Sequence, residues 1–214
     1  MRRPNGRRPF PATPAPPTPA LPAAPPTWEA THTPAPRLVP PLDGRLTADT
    51  TCNDLHYPTD PRSLVSGPDV FSPDGLRVAY TRTEEGQHAL YLAQHTAEIF
   101  TIIAAPTADY AVGLPTWSPD GAWVAFTMYD WQAGGGTVYI LGRDGEGLRP
   151  LADYDGFHHT LAWSPTGSHL AFSDAAPSHG DANIFTTTYH ILVIEPFGTA
   201  TPQWAADGCA PEWE

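Results

Sequence analysis

The chain has 214 residues, 27 of them proline, and a formal net charge of −12 at pH 7. Its length allows one domain with a tail. After residue 37, six Arg stand against 22 acidic residues, and so acidic a surface would repel phosphate backbones, which excludes nucleic acid as the expected partner.

Residues 1–41 are predicted to form a disordered Pro/Ala-rich linker or tail. They hold 14 of the 27 prolines and few apolar side chains larger than Ala. Because proline fixes φ and removes a backbone donor, such a segment stays extended and solvated. The folded region is therefore predicted to span residues 42–214, and about 170 residues are enough for a substantial core.

The N-terminal segment also bears on location. Prolines stand where a signal peptide would place its apolar run, and nowhere do about 18 apolar residues run together as in a transmembrane helix. The Pro/Ala/Thr composition is nevertheless typical of a stalk between a membrane anchor and an external domain. We therefore expect an extracytoplasmic location, in the periplasm or at the cell surface, with membrane contact only through an anchor upstream of this chain.

The cysteine count leaves two interpretations. Cys52 and Cys209 are the only cysteines, and they lie 157 residues apart with no metal-ligand spacing. Two buried free thiols are the favoured interpretation, and a disulfide that closes the ends of the folded region is the alternative.

A five-residue phrase recurs three times at a spacing of 46 residues. Its copies are Phe71, Ser72, Pro73, Asp74 and Gly75, then Trp117, Ser118, Pro119, Asp120 and Gly121, then Trp163, Ser164, Pro165 and Gly167, with Thr166 in place of Asp. After each copy come two variable residues, an aliphatic residue, Ala and an aromatic residue. Pro presets φ, Asp tolerates the next position and Gly accepts a positive φ, so each copy predicts a tight turn between two short strands.

The residues between the copies predict further strands. Apolar or alternating segments occur in residues 136–147, 148–156, 160–165, 188–198 and 200–208. Four strands per 46 residues are typical of one propeller blade. The predicted fold class is therefore all-β, a partial β-propeller of about three four-stranded antiparallel blades plus the start of a fourth, whose inner strand would hold Trp213.

The repeat phrase resembles that of the TolB-like propeller family, which is related in architecture to WD-type propellers. The resemblance covers about residues 66–214 and is specific in the two copies that contain Asp. It implies that the strands ending at Phe71, Trp117 and Trp163 line a central channel. The first blade lacks the usual Asp-Gly turn after its second strand, which leaves its two outer strands less defined.

The number of repeats bears on whether the blades of this chain can close into a ring. Propellers close with about 4 to 8 blades, whereas this chain holds three copies of the phrase. We expect the chain to be the front part of a longer protein. The alternative is a ring closed by a second copy, because open blade edges invite self-association.

Motifs of catalysis and cofactor binding are absent from the sequence. It contains no G-x-S-x-G, P-loop, G-x-G-x-x-G, H-E-x-x-H or EF-hand phrase, so we predict no catalytic, cofactor-binding or metal-binding residues. His158 and His159 follow two aspartates, but adjacent strand residues point to opposite faces, so one shared ion is not favoured. The segment 174–183 lengthens a loop, which either carries binding function, as such loops do, or is a tolerated insertion. The predicted binding surface comprises Trp117, Trp163, His158, His179 and Asp181.

Two functions of different class follow from this pattern. The resemblance implies a non-enzymatic scaffold that binds a protein, peptide or glycan at the cell envelope. The alternative is a propeller domain that regulates an enzyme, such as a prolyl oligopeptidase-type serine peptidase or a sensor kinase, whose catalytic part is missing from this chain.

Overall fold

The protein, seen in a computed structural model, is built from β-strands. The structure describes residues 44–50, 69–84, 86–94, 99–105, 107, 109–155, 160–175 and 189–214. The predicted linker at residues 1–41 lies outside these ranges, so the domain boundary stays a prediction. In the described ranges no helix has the length and apolar character needed to span a membrane.

The strands follow one another as antiparallel hairpins. They are β1 (Leu46–Asp49), β2 (Val70–Phe71), β3 (Arg77–Glu84), β4 (Gln87–Gln94), β5 (Ile99–Ala104), β6 (Tyr110–Val112), β7 (Thr116–Trp117), β8 (Trp123–Asp130), β9 (Gly135–Gly142), β10 (Arg149–Asp155), β11 (Leu161–Trp163), β12 (Leu170–Ala175), β13 (Tyr189–Ile194), β14 (Gln203–Asp207) and β15 (Cys209–Trp213).

These strands form three complete blades. Blade 1 has the order β2-β3-β4-β5 and blade 3 has the order β11-β12-β13-β14. In blade 2 the inner strand is interrupted, and its two pieces, β6 and β7, both pair with β8 before β9 and β10 follow. This arrangement confirms the predicted partial propeller, including the outer strands of blade 1, which the sequence left less defined.

The core lies between the blades because side chains alternate along each strand. Val124 and Phe126 of β8 pack toward blade 1, in a cluster with Leu90 and Leu92. Ala125 of the same strand belongs instead to the cluster between blades 2 and 3. The second strand of a blade is therefore buried on both faces. Trp123, Met128, Tyr129 and Trp131 all join these two clusters and therefore pack between blades.

The last strand begins a fourth blade. Trp213 of β15 packs on blade 3 with Ala171 and Ile191, as the sequence predicted for the inner strand of a further blade. Its partner was not predicted: β1, from the N-terminal part of the folded region, pairs with β15, with Leu46 opposite Trp213 and Thr47 opposite Glu212.

Cys209 lies buried at the start of β15. It is disulfide-bonded and does not titrate, so the favoured interpretation of two free thiols is wrong for this residue. Cys52, the only other cysteine of the chain, lies outside the described residues.

Candidate functional site

The antiparallel strands give the propeller two faces. We call the face that carries residues 72–76, 118–122 and 164–168 the turn face, and the face at the other ends of the strands the loop face. Successive turns touch on the turn face: an added Cβ on Gly121 would lie 3.3 Å from Pro73, and one on Gly167 would lie 3.4 Å from Pro119. The repeated turns therefore form one contiguous rim.

Each turn is held by its serine. Ser72 is buried, its hydroxyl donates to the Asp74 carboxylate at 2.6 Å, and it accepts the Arg77 N–H at 3.0 Å. The Gly75 N–H closes the turn on the Ser72 carbonyl oxygen at 2.8 Å. Ser118 and Asp120 repeat these contacts with the same side-chain distance of 2.6 Å. The sequence pattern did not predict this role of the serine. Its recurrence in all three copies was the signal that could have indicated it.

The third turn keeps the serine and loses the carboxylate. Ser164 accepts the His169 N–H at 3.0 Å. Thr166 accepts the Ser168 N–H at 3.4 Å, which is longer than the 3.0 Å bonds that Asp74 and Asp120 accept at the same place. Thr166 therefore holds this part of the turn more weakly than aspartate does.

The first two blades are also joined by charge on the turn face. An Arg143 nitrogen lies 2.9 Å from the Asp74 carboxylate, and Arg77 donates to the Arg143 carbonyl oxygen at 2.9 Å. The Ser72 hydroxyl, the Leu76 N–H and then Arg143 lower the pKa of Asp74 to about 2. The Ser118 hydroxyl and the Ala122 N–H lower the pKa of Asp120 in the same way. Both carboxylates are ionised near neutral pH.

Two tryptophans of the repeat phrase bind the inner strands to one another. The indole N–H of Trp117 donates to the Val70 carbonyl oxygen at 2.9 Å, and that of Trp163 donates to the Thr116 carbonyl oxygen at 3.3 Å. Trp117 and Trp163 are each only 7% exposed. The structure thus gives both rings a role in blade packing, and ligand contact by them stays a prediction.

The other predicted binding residues are His158, His179 and Asp181, which lie outside the described residues. The strand ends that flank their segments, Asp155, Ala175 and Tyr189, lie on the loop face. Trp117 and Trp163 lie at the turn face. The two tryptophans and these flanking strand ends therefore lie at opposite ends of the strands, and the predicted surface as a whole stays a prediction.

The described part of the loop face is acidic. The buried Asp174 carboxylate accepts the Asp155 N–H at 2.7 Å across the gap between blades 2 and 3. His190 lies 3.0 Å from the Asp207 carboxylate and packs edge-on against Trp204. Within the described ranges, no three His, Cys, Asp or Glu side chains are grouped so that they could hold a metal ion.

Exposed apolar side chains lie at the first turn. Phe71 is 47% exposed and Leu76 is 65% exposed, and the two residues flank the same turn. Phe71 occupies the position that Trp117 and Trp163 fill in the following blades, but it has no N–H to donate. Residues 143–147 form the hairpin turn between β9 and β10 and lie on the same face.

Antiparallel blades that pack face to face, each beginning with a short inner strand, define a β-propeller. No protein-family model matches the chain. The structure of acylaminoacyl peptidase in complex with Z-Gly-Gly-Phe-chloromethyl ketone is similar with a TM-score of 0.51 and 12% identity, over 67% of this chain and 25% of that chain. At this identity the likeness shows the fold alone.

The similarity to one curated sequence is more specific than this likeness of fold. The chain is 28% identical over 110 residues to the Tol-Pal system protein TolB of Alcanivorax borkumensis, which covers 51% of this chain and 25% of that protein. The structure of putative TolB from Agrobacterium tumefaciens is 18% identical with a TM-score of 0.45, over 70% of this chain and 53% of that chain. The repeat phrase and the curated sequence support the TolB-like β-propeller family for this chain. The chain spans about a quarter of the length of the curated relative.

Proposed function

We propose that the chain is a non-enzymatic β-propeller scaffold of the cell envelope that binds a protein or peptide at the turn face of blade 1. The observation that carries this proposal is the exposure of Phe71 and Leu76. At the equivalent position of the repeat, Trp117 and Trp163 are buried against the preceding blade. Solvent-exposed apolar side chains beside a rigid turn are typical of binding surfaces.

The surroundings favour a ligand with basic residues. Asp69 is exposed next to β2, and six Arg face 22 acidic residues after residue 37, whereas the Asp74 carboxylate is already paired with Arg143. Such a surface attracts a basic partner, with a preference that weakens as salt rises. A peptide with one aromatic or aliphatic anchor beside Lys or Arg fits this chemistry better than an uncharged glycan does.

The scaffold itself is well suited to present such a surface. Trp117, Trp163 and Trp213 bind each inner strand to the one before it, and the Asp74–Arg143 pair joins the outer turn of blade 2 to the first turn. Little conformational freedom would then be lost when a ligand binds. The family resemblance and the TolB relative support an extracytoplasmic location.

The alternative is a propeller domain that regulates an enzyme. The fold does not support it, because the likeness to acylaminoacyl peptidase shows architecture alone. Labelling of the chain with a fluorophosphonate probe tests whether this chain itself carries an activated serine. We expect no labelling of this chain, and specific labelling that is lost on heating would contradict the non-enzymatic function.

A peptide-display experiment tests the binding proposal. A random library is selected on the full chain, and the affinities of the enriched peptides are measured for Phe71→Ser and Leu76→Ser. Phe197→Ser is the matched control, because Phe197 is also about half exposed, at 52%, but lies at the outer turn of blade 3. We expect basic, apolar peptides that lose at least about tenfold in affinity, roughly 1.4 kcal/mol, with the first two variants only. Peptides whose affinity is unchanged by both substitutions would contradict the proposal, and so would a selection that enriches no peptide.

A further inference from the structure

The exposed side chains at the first turn lie beside the outer turn of blade 2. An Arg143 nitrogen lies 2.9 Å from the Asp74 carboxylate, and the Arg77 side chain donates to the Arg143 carbonyl oxygen at 2.9 Å. These two contacts hold the hairpin turn of blade 2 against blade 1. We call residues 69–76 together with residues 143–147 the first-turn surface.

The first-turn surface combines apolar side chains with acidic ones. Phe71 is 47% exposed and Leu76 is 65% exposed. Asp69, Asp144 and Glu146 are exposed as well, and none of these three forms an ion pair with another residue that the structure describes. A ligand that matches this surface therefore carries an apolar group with more than one positive charge beside it.

One segment of the chain itself has this chemistry. Residues 7–10 read Arg-Arg-Pro-Phe, two arginines followed by an aromatic residue. Residues 1–37 carry five Arg against one acidic residue, Glu29, whereas the rest of the chain carries six Arg against 22 acidic residues. The segment and the first-turn surface are therefore complementary both in charge and in apolar character. Pro9 fixes its own φ, so less conformational freedom is lost when the segment binds.

The N-terminal segment joins the described structure on the same face. An added Cβ on Gly44 would lie 3.2 Å from the Pro165 ring of the third turn. The residues between Phe10 and Gly44 number 33, and Pro-rich segments span about 3.1 Å per residue, which gives a reach of about 100 Å. A folded region of about 170 residues has a radius of gyration of about 15 Å. Residues 7–10 can therefore reach the first-turn surface.

We propose that residues 7–10 of this chain are an intramolecular ligand of the first-turn surface, with the Phe10 ring against Phe71 and Leu76 and the two arginines beside the acidic side chains. This proposal rests on the proposed function, because it names an occupant of the same site. Tethering gives an effective concentration on the order of millimolar, so a weak intrinsic affinity is enough to fill the site. An external basic peptide then binds only by displacing residues 7–10, which makes the segment a regulator of the surface.

The probe is a fluorescent peptide with the sequence of residues 5–12, whose anisotropy is followed on addition of the full chain. The apparent affinity rises with the fraction of molecules whose site is open. The Arg7→Glu/Arg8→Glu chain should therefore bind the peptide at least about tenfold more tightly than the unsubstituted chain does. Arg2→Glu/Arg3→Glu is the matched control, with the same change of charge in the same segment, and should change the affinity less than about twofold. Equal effects of the two double substitutions would overturn the proposal.

The aromatic residue is tested in the same assay. Phe10→Ala should tighten binding of the peptide at least about fivefold, because the tethered segment loses its apolar anchor. Trp28→Ala is the control, since Trp28 is the other aromatic residue of the segment but stands next to Glu29. It should leave the affinity unchanged. A Phe10→Ala chain that binds the peptide as the unsubstituted chain does would overturn the proposal.

Substitutions in the surface separate this proposal from the proposed function. In the Arg7→Glu/Arg8→Glu chain, adding Phe71→Ser should weaken binding of the peptide at least about tenfold. If the peptide binds no better than a scrambled one while display-selected peptides still depend on Phe71 and Leu76, the proposed function stands and the intramolecular ligand is wrong. If no peptide depends on these two residues, both proposals fail.

Photo-crosslinking shows whether the ligand acts within one chain. The full chain is prepared with benzoylphenylalanine in place of Phe10, irradiated, and digested for mass spectrometry. We expect crosslinks to residues 69–76 within a monomeric product, with a yield that does not fall on dilution. Crosslinks that form only between two chains, or only outside the first-turn surface, would overturn the proposal.

Discussion

The indole N–H of Trp213 donates a 3.1 Å hydrogen bond to the carbonyl oxygen of Ala162. Ala162 directly precedes Trp163, just as Thr116 and Val70 directly precede the aromatic residues of their own blades. Trp163 and Trp117 bind those two carbonyl oxygens in turn. The same bond therefore sets each inner strand on the one before it, and Trp213 marks β15 as the inner strand of a fourth blade.

Replacing Trp117 tests the strength of this link. Trp117→Phe keeps most of the buried ring but leaves the Val70 carbonyl oxygen without its indole donor, which should lower the free energy of unfolding by about 1 to 2 kcal/mol. Urea unfolding followed by circular dichroism measures the loss. Phe71→Leu is the control at the same position of the phrase, and it should stay within about 0.5 kcal/mol because Phe71 is half exposed.

The turn carboxylates predict a loss of stability in acid. Hydrogen bonds and Arg143 hold the pKa of Asp74 at about 2, below its ordinary value of 3.8, and the pKa of Asp120 is lowered too. A depressed pKa stabilises the folded state above the unfolded pKa, and this contribution disappears as pH falls through the folded pKa. Melting temperatures should therefore fall between about pH 4 and pH 2. The Asp74→Asn/Asp120→Asn variant should melt lower at pH 7 and lose less on acidification, and an unchanged slope would contradict this account.

The third turn offers the reverse test. Thr166→Asp should supply the carboxylate that Asp74 and Asp120 provide in the other copies, with acceptors for the Ser164 hydroxyl and the Ser168 N–H. We expect a gain of about 0.5 to 1 kcal/mol in the free energy of unfolding at pH 7, as for one charge-assisted hydrogen bond. The gain should begin to shrink as pH falls below the ordinary carboxyl pKa of 3.8 and should be lost once pH has fallen through the lower pKa of the new carboxyl in the folded chain. Thr166→Ala, with no acceptor, should show no gain at either pH.

Blades 1 to 3 could be predicted because their signals are local. Pro119, Gly121 and the aliphatic and aromatic residues after them specify a turn and a strand within a dozen residues. The phrase repeats, so each copy supports the others. The pairing of β1 with β15 had no such signal: Leu46 and Trp213 are distant in the sequence, and four residues with the sequence Leu-Thr-Ala-Asp do not distinguish a strand from a loop.

The candidate site was harder to predict than the fold. An aromatic residue at the end of an inner strand is either open to a ligand or bonded to the neighbouring blade, and the phrase is the same in both cases. The acceptor for Trp117 comes from a residue 47 positions earlier. The burial of Trp117 thus depends on the Val70 carbonyl oxygen of the preceding blade, a contact that no local pattern of the sequence records.

Gly136 should be intolerant of any side chain. An added Cβ would lie 2.6 Å from the Met128 carbonyl oxygen and 2.6 Å from the Tyr154 hydroxyl oxygen, and Tyr154 is buried between blades. Gly136→Ala should cost about 2 to 3 kcal/mol, since β9 must move away from β8. The measurement is again urea unfolding, with Ala133→Ser in the exposed hairpin loop as the control. A cost below about 0.5 kcal/mol would show that the two strands can separate freely there.

Ala210 should become more favourable as glycine. It is the only residue other than glycine with a positive φ among those that the structure describes, and an L-residue in the left-handed region costs about 1 to 2 kcal/mol. Glycine removes this strain but adds conformational entropy to the unfolded chain, about 0.4 to 1 kcal/mol. Ala210→Gly should therefore raise the free energy of unfolding by about 0.5 kcal/mol, whereas Ala210→Val, which is β-branched, should lower it by more than 1 kcal/mol. If both variants were equally destabilised, the bulge in the pairing of β1 with β15 would not be a source of strain.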